Sequence, residues 1–223
     1  MSFKKYLEKY KKLAAKPREF FRSIYSEDVI PAIKFYLFMI IAFSIMIIIL
    51  SFITVKFDPA RVIIGIVQLI TNIIISFLTV IIFSALVYAG TLIYNKGKAE
   101  FGSIFKVLLY SLTIMLFYSA LGVIIASGFE IYHPMSSLLS QINQANPNII
   151  IQEVISDKIH VTRIAIILLI LFISIIHFLT LATIGLSESH KLKRWRAFLS
   201  IITIPIILII LMIIALVLAV SGV

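Results

Sequence analysis

Long stretches without a charged residue dominate this chain. There are six of them, at 35–55, 62–95, 107–129, 131–152, 164–187 and 197–223. An α-helix needs about 20 apolar residues to cross the hydrocarbon core of a bilayer, and each stretch is long enough. The pattern is therefore typical of a protein that crosses a membrane several times.

One of the six stretches differs from the others because it is rich in amide side chains. Residues 131–152 include Gln141, Asn143, Gln144, Asn146 and Asn148. Burying so many amides in hydrocarbon costs more than the apolar residues return, so we expect a loop there. From Pro147 onward the apolar residues recur at helical spacing, which predicts that the following helix begins outside the bilayer.

The other five stretches show no alternation of apolar and polar residues, as a transmembrane β-strand would. Because a helix satisfies its own backbone groups in lipid, the predicted fold is an all-α integral membrane protein with five transmembrane helices. The spans are expected near 35–55, 70–94, 104–126, 161–186 and 198–220. Asp58 and Pro59 predict that the second helix begins well before its apolar centre.

Composition supports this class of protein. Hydrophobic residues make up 61% of the chain and charged residues 13%, whereas a soluble chain is about 25% charged. A water-soluble globule is excluded. The chain has no cysteine, which also excludes disulfides, thiolate nucleophiles and thiolate zinc sites.

The distribution of cations predicts the orientation. Nine Lys and Arg residues precede the first span, and the connections that follow alternate in charge, so that one side of the membrane holds 16 cations and the other 4. Short basic segments stay in the cytoplasm during insertion. We therefore expect a cell-membrane protein with a cytoplasmic N-terminus and an outside C-terminus.

The first 30 residues form a segment of their own in this scheme, followed by a transmembrane domain at 31–223. Apolar residues recur at helical spacing between lysines, at Phe3, Tyr6, Leu7, Tyr10, Leu13 and Ala14. This predicts an amphipathic helix in the headgroup plane, with residues 1–22 on anionic lipid headgroups; a solvated charged helix is the alternative. Further on, Ser26 predicts an N-cap with Glu27 and Asp28 in the first turn.

Three short stretches carry a family resemblance. They are Lys16-Pro17-Arg18-Glu19-Phe20-Phe21 before the first span, Phe101 with Phe105-Lys106-Val107 and Tyr110 at the third, and Gly185-Leu186 with His190 and Arg196-Ala197 before the fifth. Their order around five spans resembles prokaryotic members of the Yip1 family.

The resemblance implies a role in interaction rather than catalysis, since eukaryotic relatives act in vesicle trafficking and membrane shaping. The Asp-Leu-Tyr-Gly-Pro run of those relatives is missing here, so their Rab GTPase partnership is not implied. The residues expected to interact with lipids, membrane proteins or a second copy are Pro17, Phe20, Phe21, Tyr110, His190, Trp195 and Arg196.

Polar residues inside the spans have two interpretations. Gln68, Asn72, Ser76 and Thr79 form a stripe on the second helix, which we expect to face other helices. Hydrogen bonding between helices is the commoner reason for such a stripe. The alternative is a pathway, with His177 of the fourth span as a proton relay.

Small residues at four-residue spacing predict faces where helices approach closely. One pair is Ala85 and Ala89 on the second helix, and the other is Gly122 and Ala126 on the third.

Enzymatic chemistry has no support in the sequence. We find no nucleophile with a base, no paired carboxylates at depth, no glycine-rich phosphate loop and no nucleic-acid platform. Glu153, Asp157 and His160 share a helical face, but without thiolates or a tight histidine pair we expect no metal site. No catalytic residue, cofactor or nucleic-acid partner is expected. The predicted function is a non-enzymatic membrane scaffold or organisation factor; the alternative is a small-solute carrier or channel.

Overall fold

A computed structural model describes residues 3–54, 59–132 and 158–221, and within these ranges the chain is helical with short connections. Two short helices come first, α1 (Phe3–Ala15) and α2 (Pro17–Ser23). The five long helices are α3 (Val29–Thr54), α4 (Pro59–Tyr94), α5 (Phe101–Tyr132), α6 (Lys158–His190) and α7 (Arg194–Ser221).

The prediction of five spans is confirmed, because α3 to α7 are all long and apolar enough to cross a membrane. α4 begins at Pro59, as Asp58 and Pro59 predicted. The expected loop at 131–152 begins within α5, whose last residues are Ile131 and Tyr132. The rest of that loop and the helical extension from Pro147 lie outside the described residues.

The prediction of a helix start with Ser26 as its N-cap is wrong. α3 begins at Val29, so Glu27 and Asp28 precede the helix rather than forming its first turn. The Glu27 side chain instead accepts hydrogen bonds from residues of α1 and α5, which are tertiary contacts described below.

The helices form two compact units. The first contains residues 1–38, 73–114 and 177–223, and the second contains residues 39–72 and 115–176. In the first unit α4 buries one face, formed by Val80, Ser84, Val87 and Thr91, each with no exposed surface. These positions follow the helical period.

Ala85, which we expected at a contact face, is exposed, so that prediction is wrong; Ala89 is half-buried. The contact instead uses Gly90, where an added Cβ atom would lie 2.2 Å from the carbonyl oxygen of Ser200 in α7. One turn further along, Tyr94 and Thr203 share a hydrogen bond of 3.0 Å between the same two helices. Gly90 therefore lets the α4 and α7 backbones approach to van der Waals distance.

In the second unit the other predicted face is not tightly packed. An added Cβ atom at Gly122 would meet no heavy atom within 4 Å. Gly122 and Ala126 line an apolar cavity of about 290 Å³ between α5 and α6. The prediction of a close helix contact at Gly122 is therefore wrong, since small residues can leave a cavity as well as a contact.

Candidate interaction site at the basic end of the first unit

α1 docks on protein with part of the face that was predicted to lie against lipid. The ring of Tyr6 stacks on Phe38 of α3, with ring centroids 4.5 Å apart, and its centroid lies 5.9 Å from that of Phe35. Leu13 is completely buried, whereas Leu7 is 45% exposed. The sequence predicted the amphipathic helix correctly, but part of its apolar face packs on α3 and part of it, including Leu7, stays exposed.

α2 supplies two aromatic residues to the same region. Pro17 is its first residue, a position where the missing N–H costs no helical hydrogen bond. Phe20 and Phe21 are buried. Phe20 packs edge-on against Tyr110 of α5, with centroids 5.0 Å apart, and an aromatic pair of this kind adds about 1 kcal/mol beyond its buried area.

Gly185 of α6 makes room for the second aromatic residue. A Cβ atom added there would lie 2.5 Å from Cγ1 of Val107 and 2.9 Å from Cε1 of Phe21. Phe21, Val107 and Gly185 each belong to a different one of the three stretches that carry the family resemblance. The three stretches therefore contact one another in the folded chain.

A network of charged side chains ties α1 to this aromatic cluster. The ammonium group of Lys9 lies 2.8 Å from Oε1 of Glu27 and also donates a hydrogen bond to the hydroxyl of Tyr110. That hydroxyl in turn donates to Oε2 of Glu27 at 3.0 Å. The Lys9 side chain is only 13% exposed, so Glu27 supplies the counter-charge that a mostly buried ammonium requires.

Lys106 is the second buried cation of this region. It lies in the second turn of α5 and is 6% exposed. Its ammonium group donates to the carbonyl oxygen of Tyr25 at 3.0 Å and to that of Glu27. These carbonyls belong to the connection between α2 and α3, so Lys106 fixes the path of the chain just before the first span.

Sequence reasoning missed Lys9, Glu27 and Lys106 as members of the site. Lys9 and Glu27 resemble the other charged residues of a basic segment, and no local pattern separates them. Lys106 offered a signal, because a lysine beside an apolar run is costly unless it finds partners. The sequence placed Lys106 within a family-resemblance stretch and among the cations, but did not select it as an interaction residue.

Exposed ion pairs surround the buried network. Glu188 near the end of α6 lies 3.2 Å from Nε of Arg18 and 2.8 Å from Nε of Arg22. Both arginine side chains are more than half exposed, so these pairs orient α2 on α6 but contribute little stability. His190 contacts the hydroxyl of Ser189 through Nδ1 at 3.0 Å.

The family model of the Yip1 domain matches residues 11–216 of the chain. This chain belongs to the Yip1 family. No protein among the curated proteins and no solved structure matches it. The match begins within α1 and ends within α7, so it includes both the five spans and the basic end just described.

Two predicted interaction residues of this Yip1 domain lie away from the buried network. Trp195, at the start of α7, is 55% exposed. The guanidinium carbon of Arg196 lies 5.3 Å from the centre of its ring, within the range of a cation–π contact. Trp195 is therefore an exposed aromatic residue, and its role in interaction stays a prediction.

The polar stripe of α4 in the Yip1 domain is only partly inside the protein. Gln68 and Thr79 are exposed, and Asn72 and Ser76 are half-buried, so the expectation that the whole stripe faces other helices is wrong. In the second unit Gln68 and Asn72 line a cavity of about 10 Å³ with Ser44, whose hydroxyl is buried. That volume holds about one water molecule and no larger solute. His177 is half-buried in α6.

The described residues offer no metal centre. Within residues 3–54, 59–132 and 158–221, no group of three or more His, Asp or Glu side chains is placed to hold a metal ion. Glu130, at the end of α5, forms an ion pair with Arg163 of α6, whose Nη1 lies 3.0 Å from Oε2. Glu153 and Asp157 lie outside the described residues.

Proposed function

We propose that this chain is a non-enzymatic Yip1-family scaffold that organises a membrane by binding lipid and membrane-protein partners at its basic end. One observation supports this above all. The motif residues Phe20, Phe21 and Tyr110 are buried, and they hold α1 and α2 in place. Lys4, Lys5, Lys11 and Lys12 remain exposed on α1, so the basic end presents a cationic surface.

The scaffold is proposed to lie in the cell membrane of a prokaryote with its basic end in the cytoplasm. The support is the count of 16 cations on one side against 4 on the other. There, residues 1–22 would face an anionic leaflet, where each Lys or Arg near the surface adds about 1 kcal/mol to binding. The division into residues 1–30 and a domain at 31–223 is kept as a functional division, although α1 packs on α3.

Orientation is testable because the chain has no native cysteine. Ser137→Cys is expected to react with a membrane-impermeant maleimide in intact cells, whereas Ser2→Cys is expected to react only after the cells are permeabilised. Gel shifts of the labelled full-length chain measure both. Labelling of Ser2→Cys in intact cells would place the basic end outside and contradict the proposal.

The role in binding other membrane proteins rests on the exposed residues around the basic end, and Trp195 allows a test. A photoreactive benzoylphenylalanine at position 195 is expected to cross-link the chain in cells to a discrete membrane protein or a second copy. The matched control is position 212 on the same helix, where Met212 is 66% exposed within the apolar span. We expect lipid adducts there.

Liposome flux separates the scaffold from the carrier. The purified chain in liposomes is expected to pass ions and small solutes no faster than empty liposomes. Flux that is abolished by Gln68→Leu with Asn72→Leu would contradict the scaffold and favour the carrier. Absence of any protein adduct at position 195 would also contradict it.

A further inference from the structure

A groove runs between α1 and the connection from α2 to α3. Its volume is about 440 Å³, within the range of pockets that bind small molecules. Three lysines line it, Lys5, Lys9 and Lys12, together with the side chains of Ser23 and Ser26. The groove lies wholly in the first unit and directly precedes α3, which begins two residues after Glu27.

The charges along the groove favour an anion. Glu27 also lines it, but its carboxylate already accepts from Lys9 and Tyr110. The remaining charged residues of the lining are two cations, Lys5 and Lys12, and one carboxylate, Glu8, so the groove keeps a net positive charge. The ammonium group of Lys12 donates to Oγ of Ser23 at 3.4 Å, and that hydroxyl donates in turn to the carbonyl oxygen of Phe20 at 2.7 Å. Ser23 therefore positions the Lys12 ammonium group at the groove.

We propose that this groove binds the phosphate of one anionic phospholipid, with Lys5, Lys12 and the hydroxyl of Ser26 as its donors. The position selects a lipid over free phosphate. Val29 starts the first helix that is long and apolar enough to cross a membrane, so in the proposed topology the groove would lie near the lipid headgroups. The inference rests on the proposed function, which it deepens by replacing a diffuse attraction with a defined site.

The test uses the full-length chain in neutral detergent, where no charged leaflet contributes. Native mass spectrometry measures retention of phosphatidylglycerol, phosphatidylcholine and inorganic phosphate. We expect one retained phosphatidylglycerol per chain, no retained phosphatidylcholine, and no competition by inorganic phosphate. Lys5→Gln with Lys12→Gln is expected to weaken retention at least tenfold.

The matched control is Lys4→Gln with Lys11→Gln, which removes the same charge from exposed positions of α1 that do not line the groove. It is expected to change retention less than twofold. Ser26→Ala, which keeps every charge, is expected to weaken retention in detergent as well.

Equal loss in both lysine pairs would overturn the site and leave the diffuse attraction of the proposed function intact. Competition by inorganic phosphate would overturn the lipid as its ligand. If the unmodified chain retained no anionic lipid in detergent, the site would be overturned. The lipid-binding part of the proposed function would fail with it only if the full-length chain in nanodiscs at low salt also failed to enrich anionic lipid over phosphatidylcholine.

Discussion

Replacing Gly90 by alanine is expected to cost about 3 kcal/mol of folding free energy, at the upper end of what one added methyl group typically costs in a packed interior. The new Cβ atom would lie 2.2 Å from the carbonyl oxygen of Ser200 and 3.2 Å from its Cα atom. Both are backbone atoms of α7, so no side chain can rotate away and the two helices must separate. Thermal unfolding of the purified chain in detergent, followed by size-exclusion chromatography, measures the loss.

Gly122→Ala is the matched control for this prediction. It adds the same methyl group to another long helix, at a position where no heavy atom lies within 4 Å. Alanine is also the better helix former, by up to about 1 kcal/mol, so stability should stay the same or rise. Equal destabilisation by the two substitutions would show that the close approach of α4 and α7 is not the cause.

Replacing Glu27 by glutamine is expected to cost about 2–3 kcal/mol, because it leaves Lys9 without its counter-charge while keeping the shape of the side chain. Lys9 is 13% exposed, so the uncompensated ammonium group would lie mostly away from water. The expected result is a lower unfolding midpoint in detergent and release of α1. Release can be read as faster proteolysis of residues 3–15 in the otherwise folded chain.

Glu19→Gln controls for the loss of a carboxylate on the same segment. Glu19 pairs with Lys16 at 3.6 Å, and both side chains are more than 60% exposed, so the change should stay within about 0.5 kcal/mol. Tyr110→Phe should fall between the two, since it removes one hydroxyl from the network but keeps the ring against Phe20. If Glu27→Gln were as mild as Glu19→Gln, the network would not hold α1.

The fold class of this protein was predictable because insertion into a bilayer imposes strong, local rules. A chain segment that crosses hydrocarbon must satisfy its own backbone groups, so α3 to α7 could be located from the pattern of long apolar runs. Each helix exceeds its predicted span, since hydropathy marks only the part that meets hydrocarbon. α4, for example, begins at Pro59 and its predicted span at residue 70.

Helix faces were not predictable in the same way. Within a bilayer, isoleucine and leucine are as stable against lipid as against another helix, so apolarity does not identify the buried face. Small residues therefore suggested Ala85 and Gly122, whereas the structure packs at Gly90 and Gly185. Similarly, residues 3–15 were predicted as an amphipathic helix, but nothing local indicated that Tyr6 would stack on Phe38.

The sequence by itself determined five membrane-crossing helices, a basic amphipathic segment before them and membership of the Yip1 family. Each of these can be recognised from residues that are close together in the chain, because hydropathy, helical spacing and family motifs are local patterns. Only the tertiary structure decided that Lys9, Glu27, Lys106 and Tyr110 form one network and that Lys5 and Lys12 share a groove. These residues lie up to about a hundred positions apart in the chain. Their proximity arises from packing between helices, which no local pattern records.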